Sequence, residues 1–231
     1  MDAIVNVTQD WGIGYKGKLV SHIEEDMKHF KYQTINKCII YGNNTLKSFP
    51  NKAPLKNRIN IVITKDYSNI DKQSIEHATI IKSVIKKNPE MLVDSNSLEL
   101  QKFLNKEEYL KKPLLIIATS IEQAIEFARN MFSENSIVVC GGASIYEQML
   151  SLCNTVMVTK NYYKGPVDSF FPNLDEDPNW VLTRTHPLLK IITDSIEDNT
   201  KFDIKKREIC SYNIYRKADY YISDHYWSDL K

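Results

Sequence analysis

Asp26 is the first residue of this chain whose position suggests acid-base chemistry. The apolar spacing of Met27 and Phe30 predicts a short helix over about residues 24–33, and Asp26 lies at the margin of its apolar face. A carboxylate placed there could exchange a proton with a molecule bound against the apolar side chains. Acidic residues also stabilise the first turn of any helix through its dipole, so the local pattern alone favours a structural role.

Gly141 and Gly142 form a second candidate site, because they separate an apolar run from a predicted helix that begins near Ala143. The run at residues 137–140 is rich in β-branched side chains, which predicts a central parallel strand buried on both faces. Glycines let a ligand approach the backbone, and the first N–H groups of a helix attract anions. The pattern therefore indicates a phosphate site, although an ordinary strand-turn-helix connection is favoured by the glycine pair alone.

Strands and helices alternate along most of the chain, which predicts an α/β fold around a mostly parallel sheet. Predicted strands occupy residues 3–7, 37–42, 59–64, 113–118, 137–140 and 155–159, and predicted helices begin near residues 24, 43, 121 and 143. Residues 180–184 and 209–215 are interpreted as antiparallel strands that close one edge of the sheet. Residues 8–17 contain three glycines and are interpreted as a mobile loop that closes over ligands.

The composition indicates a soluble globular protein and excludes several kinds of partner. The chain of 231 residues predicts one domain at residues 1–217, with a surface insertion at about 65–112 and a tail at 218–231. A net charge of +1 gives no general attraction to nucleic acid or membranes, so neither is an expected partner. The cysteines and histidines show no metal-ligand spacing, and we expect no metal. Since no signal peptide or membrane-spanning run is visible, we expect a cytoplasmic location.

Six separated motifs, in matching order and spacing, resemble the dihydrofolate reductases from Ala3 to about Arg216. The motifs are residues 12–17, residues 25–31, residues 39–42 with Thr45, residues 54–58, residues 141–146, and Thr159 with residues 168–172. Each motif is weak alone, but six in the right order are difficult to obtain by chance. The resemblance implies a mixed, mostly parallel eight-stranded sheet flanked by helices. It also implies NADPH-dependent reduction of 7,8-dihydrofolate to 5,6,7,8-tetrahydrofolate, which supports one-carbon and thymidylate metabolism.

For the substrate, the resemblance implies one acid in an apolar pocket. Asp26 matches the family's acid, which binds the pterin ring and promotes protonation of N5, and Thr159 matches the hydroxyl that hydrogen-bonds to this carboxylate. Arg58 matches the guanidinium that binds the α-carboxylate of the glutamyl tail, for which a planar fork of donors is well suited. The implied apolar walls around the pterin and aminobenzoyl rings are Ile4, Met27, Phe30, Phe49 and Leu55. Antifolates such as methotrexate are expected to bind in the same place.

For the cofactor, the resemblance implies an NADPH site built largely on two glycine-containing turns. The Gly141–Gly142 peptide is cis in the family and lies at the pyrophosphate, Tyr146 matches the ring beside the nicotinamide, and Lys65 lies near the adenosine 2′-phosphate. The full expected set is Asn6, Ile13, Gly14, Leu19, Gly42, Asn43, Asn44, Thr45, Thr64, Lys65, Cys140, Gly141, Gly142, Ala143, Ser144, Ile145 and Tyr146.

The sequence departs from the family pattern at four places. Val20-Ser21 stands where the family has Pro-Trp, and Asn6 replaces a small alanine near the pterin. Asn43-Asn44 replaces a basic pair beside the cofactor, and the insertion at 65–112 exceeds the family's usual length. These departures leave open a derived family member with weak activity.

Two further alternatives belong to different functional classes. One is a reductase of the same fold that acts on a pyrimidine intermediate of riboflavin synthesis, and the other is a non-catalytic folate-binding or RNA-binding module. Asp26, Phe30 and Arg58 together favour a pterin with a glutamyl tail. The near-neutral charge provides no basic patch for RNA.

Overall fold

The computed structural model describes residues 1–72, 79–80, 113–195 and 202–220. In chain order the strands are β1 (Asp2–Val7), β2 (Gly12–Tyr15), β3 (Lys18–Leu19), β4 (Cys38–Gly42), β5 (Ile59–Ile63), β6 (Thr79–Ile80), β7 (Leu114–Ala118), β8 (Ile137–Val139), β9 (Thr155–Asn161), β10 (Ser169–Phe170), β11 (Trp180–Ser195) and β12 (Phe202–Lys217). The helices are α1 (Glu24–Thr34), α2 (Asn43–Ser48), α3 (Ile121–Met131) and α4 (Ala143–Met149).

One sheet contains most of these strands, in the order β11-β12-β9-β1-β8-β4-β5-β7-β6. The pairings from β9 through β1, β8, β4, β5 and β7 to β6 are parallel, and those of β12 with β9 and β11 are antiparallel. This confirms the predicted mixed, mostly parallel eight-stranded sheet, to which the two-residue strand β6 adds a ninth. The carboxyl ends of the parallel strands therefore lie along one edge, where α/β proteins bind ligands.

Both faces of the sheet are apolar and covered by helices. Alternate residues of β7 belong to two different hydrophobic clusters. Leu114 and Ile116 share a cluster with side chains of α3 and α4, whereas Leu115 and Ile117 share one with Leu46 of α2. Near-continuous apolar runs are required when both faces are buried, which explains the strand sequences. The face covered by α1 and α2 is the one on which the candidate site lies.

Part of the glycine-containing segment at residues 8–17, which we interpreted as a mobile loop, forms regular structure. Its residues 12–15 form β2, which pairs with β3 and β10 in a separate three-stranded sheet. Asp168 helps to hold it with two hydrogen bonds. The Lys16 N–H donates to the Asp168 carboxylate at 2.7 Å, and the Asp168 backbone N–H donates to the Gly14 carbonyl at 3.0 Å. These long-range pairs explain the difference, since the segment alone gives no sign of its partner near residue 169.

The antiparallel edge strands are also longer than predicted. β11 and β12 contain 16 residues each and pair along their whole length, whereas the sequence predicted only residues 180–184 and 209–215. β12 pairs with β9 from Cys210 to Arg216, which covers the predicted part. Among the described residues, the part of β12 before Cys210 pairs with β11 alone.

The proposed division of the chain remains a prediction. Residues 73–78 and 81–112 of the insertion, and residues 221–231 of the tail, lie outside the described part of the chain. Within the described ranges, no helix is long and apolar enough to cross a membrane. The same ranges contain no group of three His, Cys, Asp or Glu side chains placed to hold a metal ion.

Candidate active site

The candidate site lies where β1 and β9 run side by side beneath α1. Asn6 of β1 is in register with Thr159 of β9, and Ile4 is in register with Met157. Residues in register, and those two positions along a strand, point to the same face, so Asn6, Thr159 and Asn161 share one face. Asp26, in the first turn of α1, meets this face.

Asn6 supplies the hydrogen bond to Asp26 that the resemblance assigned to Thr159. The Asn6 Nδ2 donates to Asp26 Oδ2 at 2.7 Å, and Asn161 Nδ2 donates to Asn6 Oδ1 at 2.5 Å. Thr159 is buried in the adjacent strand, and among the described residues its hydroxyl makes no hydrogen bond to Asp26. The physical reason is the departure at position 6, because an asparagine amide reaches the carboxylate from a place where alanine has no polar group.

Four of the five expected wall residues lie in or against one buried cluster. Ile4 belongs to a buried cluster against which Phe30, Phe49 and Leu55 pack. Phe49 also contacts the Tyr41 ring edge-on, with the centroids 4.9 Å apart. Met27 is half-buried on α1, next to Asp26. The arrangement provides an apolar surface beside a single carboxylate.

Arg58 is buried at the other end of α1, with 6% of its surface exposed. Its Nε donates to Thr34 Oγ1 at 2.8 Å, Nη1 donates to the Lys56 carbonyl at 2.8 Å, and Nη2 donates to the Lys31 carbonyl at 3.3 Å. Burial lowers the pKa of the Arg58 guanidinium below its usual value. None of the ion pairs found among the described residues involves Arg58.

His29 adds a titratable group one turn from Asp26. Its ring stacks on Tyr212 with the centroids 4.4 Å apart. Burial lowers the pKa of His29, and the nearby charge of Asp26 opposes that shift. Burial also raises the pKa of Tyr212 to about 12. Both side chains are therefore mainly uncharged at neutral pH.

A cleft of about 570 Å³ lies between the three-stranded sheet and the first turns of α2 and α4. The expected cofactor residues that line it are Ile13, Gly14, Leu19, Gly42, Asn43, Asn44, Thr45, Gly142, Ala143, Ser144 and Ile145. It is also lined by Gly17, Lys18, Ser48, Asp168 and Ser169, which were not expected. The remaining expected residues, Asn6, Thr64, Lys65, Cys140, Gly141 and Tyr146, do not line it.

Two glycine turns meet at the floor of this cleft. The Gly42 N–H donates to the Gly141 carbonyl at 2.7 Å, which joins the end of β4 to the end of β8. The Gly141–Gly142 peptide is cis. A Cβ atom on Gly42 would lie 3.2 Å from Ile145, and one on Gly142 would lie 3.5 Å from the Thr45 hydroxyl. Glycine therefore keeps backbone accessible where two strands end and two helices begin.

Several expected cofactor residues have side chains already engaged within the protein. The Tyr146 hydroxyl donates to the Ile4 carbonyl at 2.6 Å, and its ring packs on Phe171. Asn43 Nδ2 donates to the Asn69 carbonyl at 2.8 Å, and the Thr64 hydroxyl donates to the Asp66 carbonyl at 2.9 Å. These bonds hold the elements that border the cleft, and the proposed cofactor roles of these residues remain predictions.

Comparison with known proteins decides the family. A family model described as dihydrofolate reductase matches residues 1–95 and 103–201, which is most of the chain. The chain belongs to the dihydrofolate reductase family. It is therefore an oxidoreductase of that family.

Two named reductases illustrate the likeness at the level of sequence. The dihydrofolate reductase of Buchnera aphidicola subsp. Acyrthosiphon pisum is 30% identical over 177 residues, covering 77% of this chain and 81% of the relative. The dihydrofolate reductase of Candida albicans is 24% identical over 205 residues, covering 82% and 84%.

A solved structure shows the likeness of the fold. The dihydrofolate reductase from Enterococcus faecalis, complexed with NADP(H) and RAB-propyl, superimposes with a TM-score of 0.57 at 21% identity. The match covers 94% of this chain and 96% of that one. It agrees with the sheet topology described above.

Two asparagines of this dihydrofolate reductase family member support the site but were not identified from sequence. Asn60 is fully buried, and its amide donates to the Leu55, Arg58 and Leu114 carbonyls and accepts from the Leu55 N–H and the Tyr41 hydroxyl. It thereby fixes the turn that presents Leu55 and Arg58. Asn60 could have been identified from the sequence, because it is a polar residue inside the apolar run of β5. Asn161 gave a similar signal at the end of β9.

Proposed function

We propose that the protein reduces 7,8-dihydrofolate to 5,6,7,8-tetrahydrofolate with NADPH, in the cytoplasm, for one-carbon and thymidylate metabolism. The observation that carries this proposal is the pair of Asp26 and Arg58 at opposite ends of α1. Asp26 is five to eight residues from the α1 positions that Arg58 contacts, which corresponds to roughly 8–12 Å along a helix. An elongated substrate with a basic ring at one end and a carboxylate at the other suits this spacing.

Arg58 retains the means to bind such a carboxylate. A guanidinium carries five N–H donors, and three hydrogen bonds within the protein leave two. A buried cation without a counter-charge is costly, and a substrate carboxylate would provide that charge. We assign Arg58 to the glutamyl end of dihydrofolate, and Ile4, Met27, Phe30, Phe49 and Leu55 to the rings.

Asp26 is assigned to the pterin end. Its carboxylate binds the ring and promotes protonation of N5, which makes the substrate a better hydride acceptor. Thr159 lies beside it in the neighbouring strand and closes the polar side of the pocket. At the departure from the family's Pro-Trp, the Ser21 hydroxyl oxygen is buried and has no hydrogen-bond partner among the described residues. That hydroxyl is available to position a water for the proton transfer.

The cleft beside the pocket fits NADPH, which supplies the hydride when it is bound. Gly42 and Gly142 let the cofactor approach the backbone, and the first N–H groups of α2 and α4 can receive its phosphates. Thr45 and Ser144 add hydroxyl donors in the same cleft. Lys65 is assigned to the 2′-phosphate, because Asn43 and Asn44 provide only neutral donors.

Loss of NADPH absorbance upon addition of dihydrofolate tests the proposal. We expect oxidation that requires both compounds, stops with methotrexate and yields tetrahydrofolate. Activity only with the pyrimidine intermediate of riboflavin synthesis would reassign the substrate. Folate binding without oxidation would identify a non-catalytic module.

A further inference from the structure

We propose that Asn6 and Asn161 form a relay of two side-chain amides that holds Asp26 as a hydrogen-bond acceptor, which makes Asn6 a positioning residue for the reaction. The inference rests on the proposed reductase function. It assigns Asn6 a task different from the cofactor contact implied by resemblance. It also explains why a polar pair is retained inside the sheet.

The relay is built on adjacent strands. Asn6 of β1 is in register with Thr159 of β9, and Asn161 lies two residues further along β9 on the same face. Asn161 has only 1% of its surface exposed, and Asn6 is half-buried. Buried amides are retained only when their hydrogen bonds are satisfied, and here each amide bonds to the next.

The direction of every bond in the relay is fixed by its first donor. The Tyr163 backbone N–H, which cannot accept, donates to Asn161 Oδ1 at 2.9 Å. Asn161 must therefore present its Nδ2 to Asn6, which turns the Asn6 oxygen toward Asn161 and the Asn6 Nδ2 toward Asp26. This order removes the usual ambiguity between the two ends of an amide. Gln9 also holds the Asn161 backbone, because its Nε2 donates to the Asn161 carbonyl at 3.0 Å.

This arrangement limits what Asp26 can do. A threonine hydroxyl can donate or accept, so it suits either protonation state of a carboxyl group, whereas the oriented Asn6 amide presents only a donor. The relay therefore secures Oδ2 as an acceptor and restrains rotation of the carboxylate. Oδ1 and the second lone pair of Oδ2 remain for the substrate and for water.

The first test measures the rate of hydride transfer in single turnovers. We expect Asn6→Ala to lower this rate by about tenfold, the scale of one hydrogen bond to a charged group, with NADPH affinity unchanged. The same substitution in an Asp26→Asn background should change the rate by less than about twofold, because the coupled partner is gone. Alanine suits this position, since it is the family's usual residue there.

Asn213→Ala is the matched control. Asn213 is also buried in this sheet, and its amide bonds to the Val158 carbonyl, to Ser211 and to the Thr185 hydroxyl, none of which bonds to Asp26. The Asn213→Ala variant should have a lower melting temperature than the parent and the same rate of hydride transfer. An equal loss of rate from Asn6→Ala in both backgrounds would show a merely structural role and overturn the relay.

The second test does not depend on activity. In protein labelled with ¹⁵N-asparagine, the Asn6 side-chain signal is identified by its loss in Asn6→Ala. We expect this signal to move in Asp26→Ala and in Asn161→Ala, while the Asn213 signal stays in place. If the chemical shift of the Asn6 side chain is the same in Asp26→Ala, in Asn161→Ala and in the parent, the relay is refuted, whether or not the parent reduces dihydrofolate. If it responds but the parent oxidises no NADPH, the relay stands and the proposed function fails.

Discussion

In the function we propose, Arg58 connects the fold to the substrate. The guanidinium stabilises the carboxyl end of α1 by bonding to the Lys31 carbonyl and to Thr34, and Asn60 holds the turn from which it extends. The folded protein therefore positions a desolvated cation before any ligand arrives. Pre-positioning reduces the conformational entropy that the Arg58 side chain must lose when a substrate carboxylate binds.

Arg58→Lys is expected to weaken dihydrofolate and methotrexate together by roughly 1.5–3 kcal/mol, the scale of a hydrogen bond to a charged group. A lysine keeps the charge but cannot bond to the helix and present a fork of donors at once. Titration calorimetry measures both ligands, and NADPH affinity should not change. Lys56→Gln, which removes an exposed cation two residues away, is the control. Unchanged methotrexate affinity in Arg58→Lys would make this arginine purely structural.

His29 is expected to make the protein less stable in mild acid. Because its pKa is lowered from 6.5 by folding, the unfolded chain binds the proton more readily. Its contribution is fully present above pH 6.5 and is lost as the pH falls toward the lowered pKa. His29→Gln should therefore lose less stability than the parent between about pH 7 and pH 5 in urea unfolding. His22→Gln, at an exposed site, should follow the parent, and identical curves for all three proteins would contradict the prediction.

At the scale of elements, the three-stranded sheet forms one wall of the cleft that we assign to NADPH. Ile13, Gly14 and Leu19 line the cleft from this sheet, and β10 holds β2 from the opposite side. Packing is close, because a Cβ atom on Gly12 would lie 2.4 Å from the Val167 side chain. The wall is thus fixed by contacts between segments that are more than 150 residues apart in the chain.

Asp168→Ala is expected to raise the dissociation constant of NADPH by about threefold to tenfold. This effect is smaller than the loss of a buried charge-assisted hydrogen bond would produce, because Asp168 is exposed. The change removes the acceptor for the Lys16 N–H and loosens the wall. Fluorescence titration measures the affinity. Asp10→Ala, which removes another exposed carboxylate, should bind NADPH like the parent. A parental affinity in Asp168→Ala would mean that strand pairing alone holds the wall.

At the scale of the whole molecule, burial on both faces of the sheet protects every cysteine. Cys38, Cys140, Cys153 and Cys210 are all buried and free of disulfides. Burial raises the pKa of Cys153 to about 12 and raises those of Cys38 and Cys140 further. Since the thiolate is the reactive form, the raised pKa values disfavour reaction of Cys38, Cys140 and Cys153, and burial restricts access to Cys210.

We expect the thiols to react with a disulfide reagent such as DTNB only after unfolding. Reaction in native buffer should be slow, and all four groups should react together across the denaturant transition if unfolding is two-state. Circular dichroism over the same range is the control. A thiol that reacts rapidly before the transition would locate a part of the core that opens by itself.

Much of the fold and part of the site were predictable from the sequence. Apolar runs between glycines and helical spacing gave the parallel strands and the four helices, because both signals are local. The glycine turn at Gly141 and the acid at Asp26 were identified in the same way. The Asn6 contact and the strand pairing of residues 12–15 depend on partners distant in the chain. No local pattern contains that information.

The long hairpin of β11 and β12 has a consequence for hydrogen exchange. Residues 210–216 of β12 have neighbours on both sides, whereas residues 202–208 pair with β11 alone among the described strands, over roughly 20–25 Å. A two-stranded ribbon is only marginally stable in water. Amide deuteration should therefore be fast in residues 202–208 and slow in residues 210–216, although one unbroken strand contains both. The boundary between fast and slow exchange should lie at Cys210, the first position of β12 that pairs with β9.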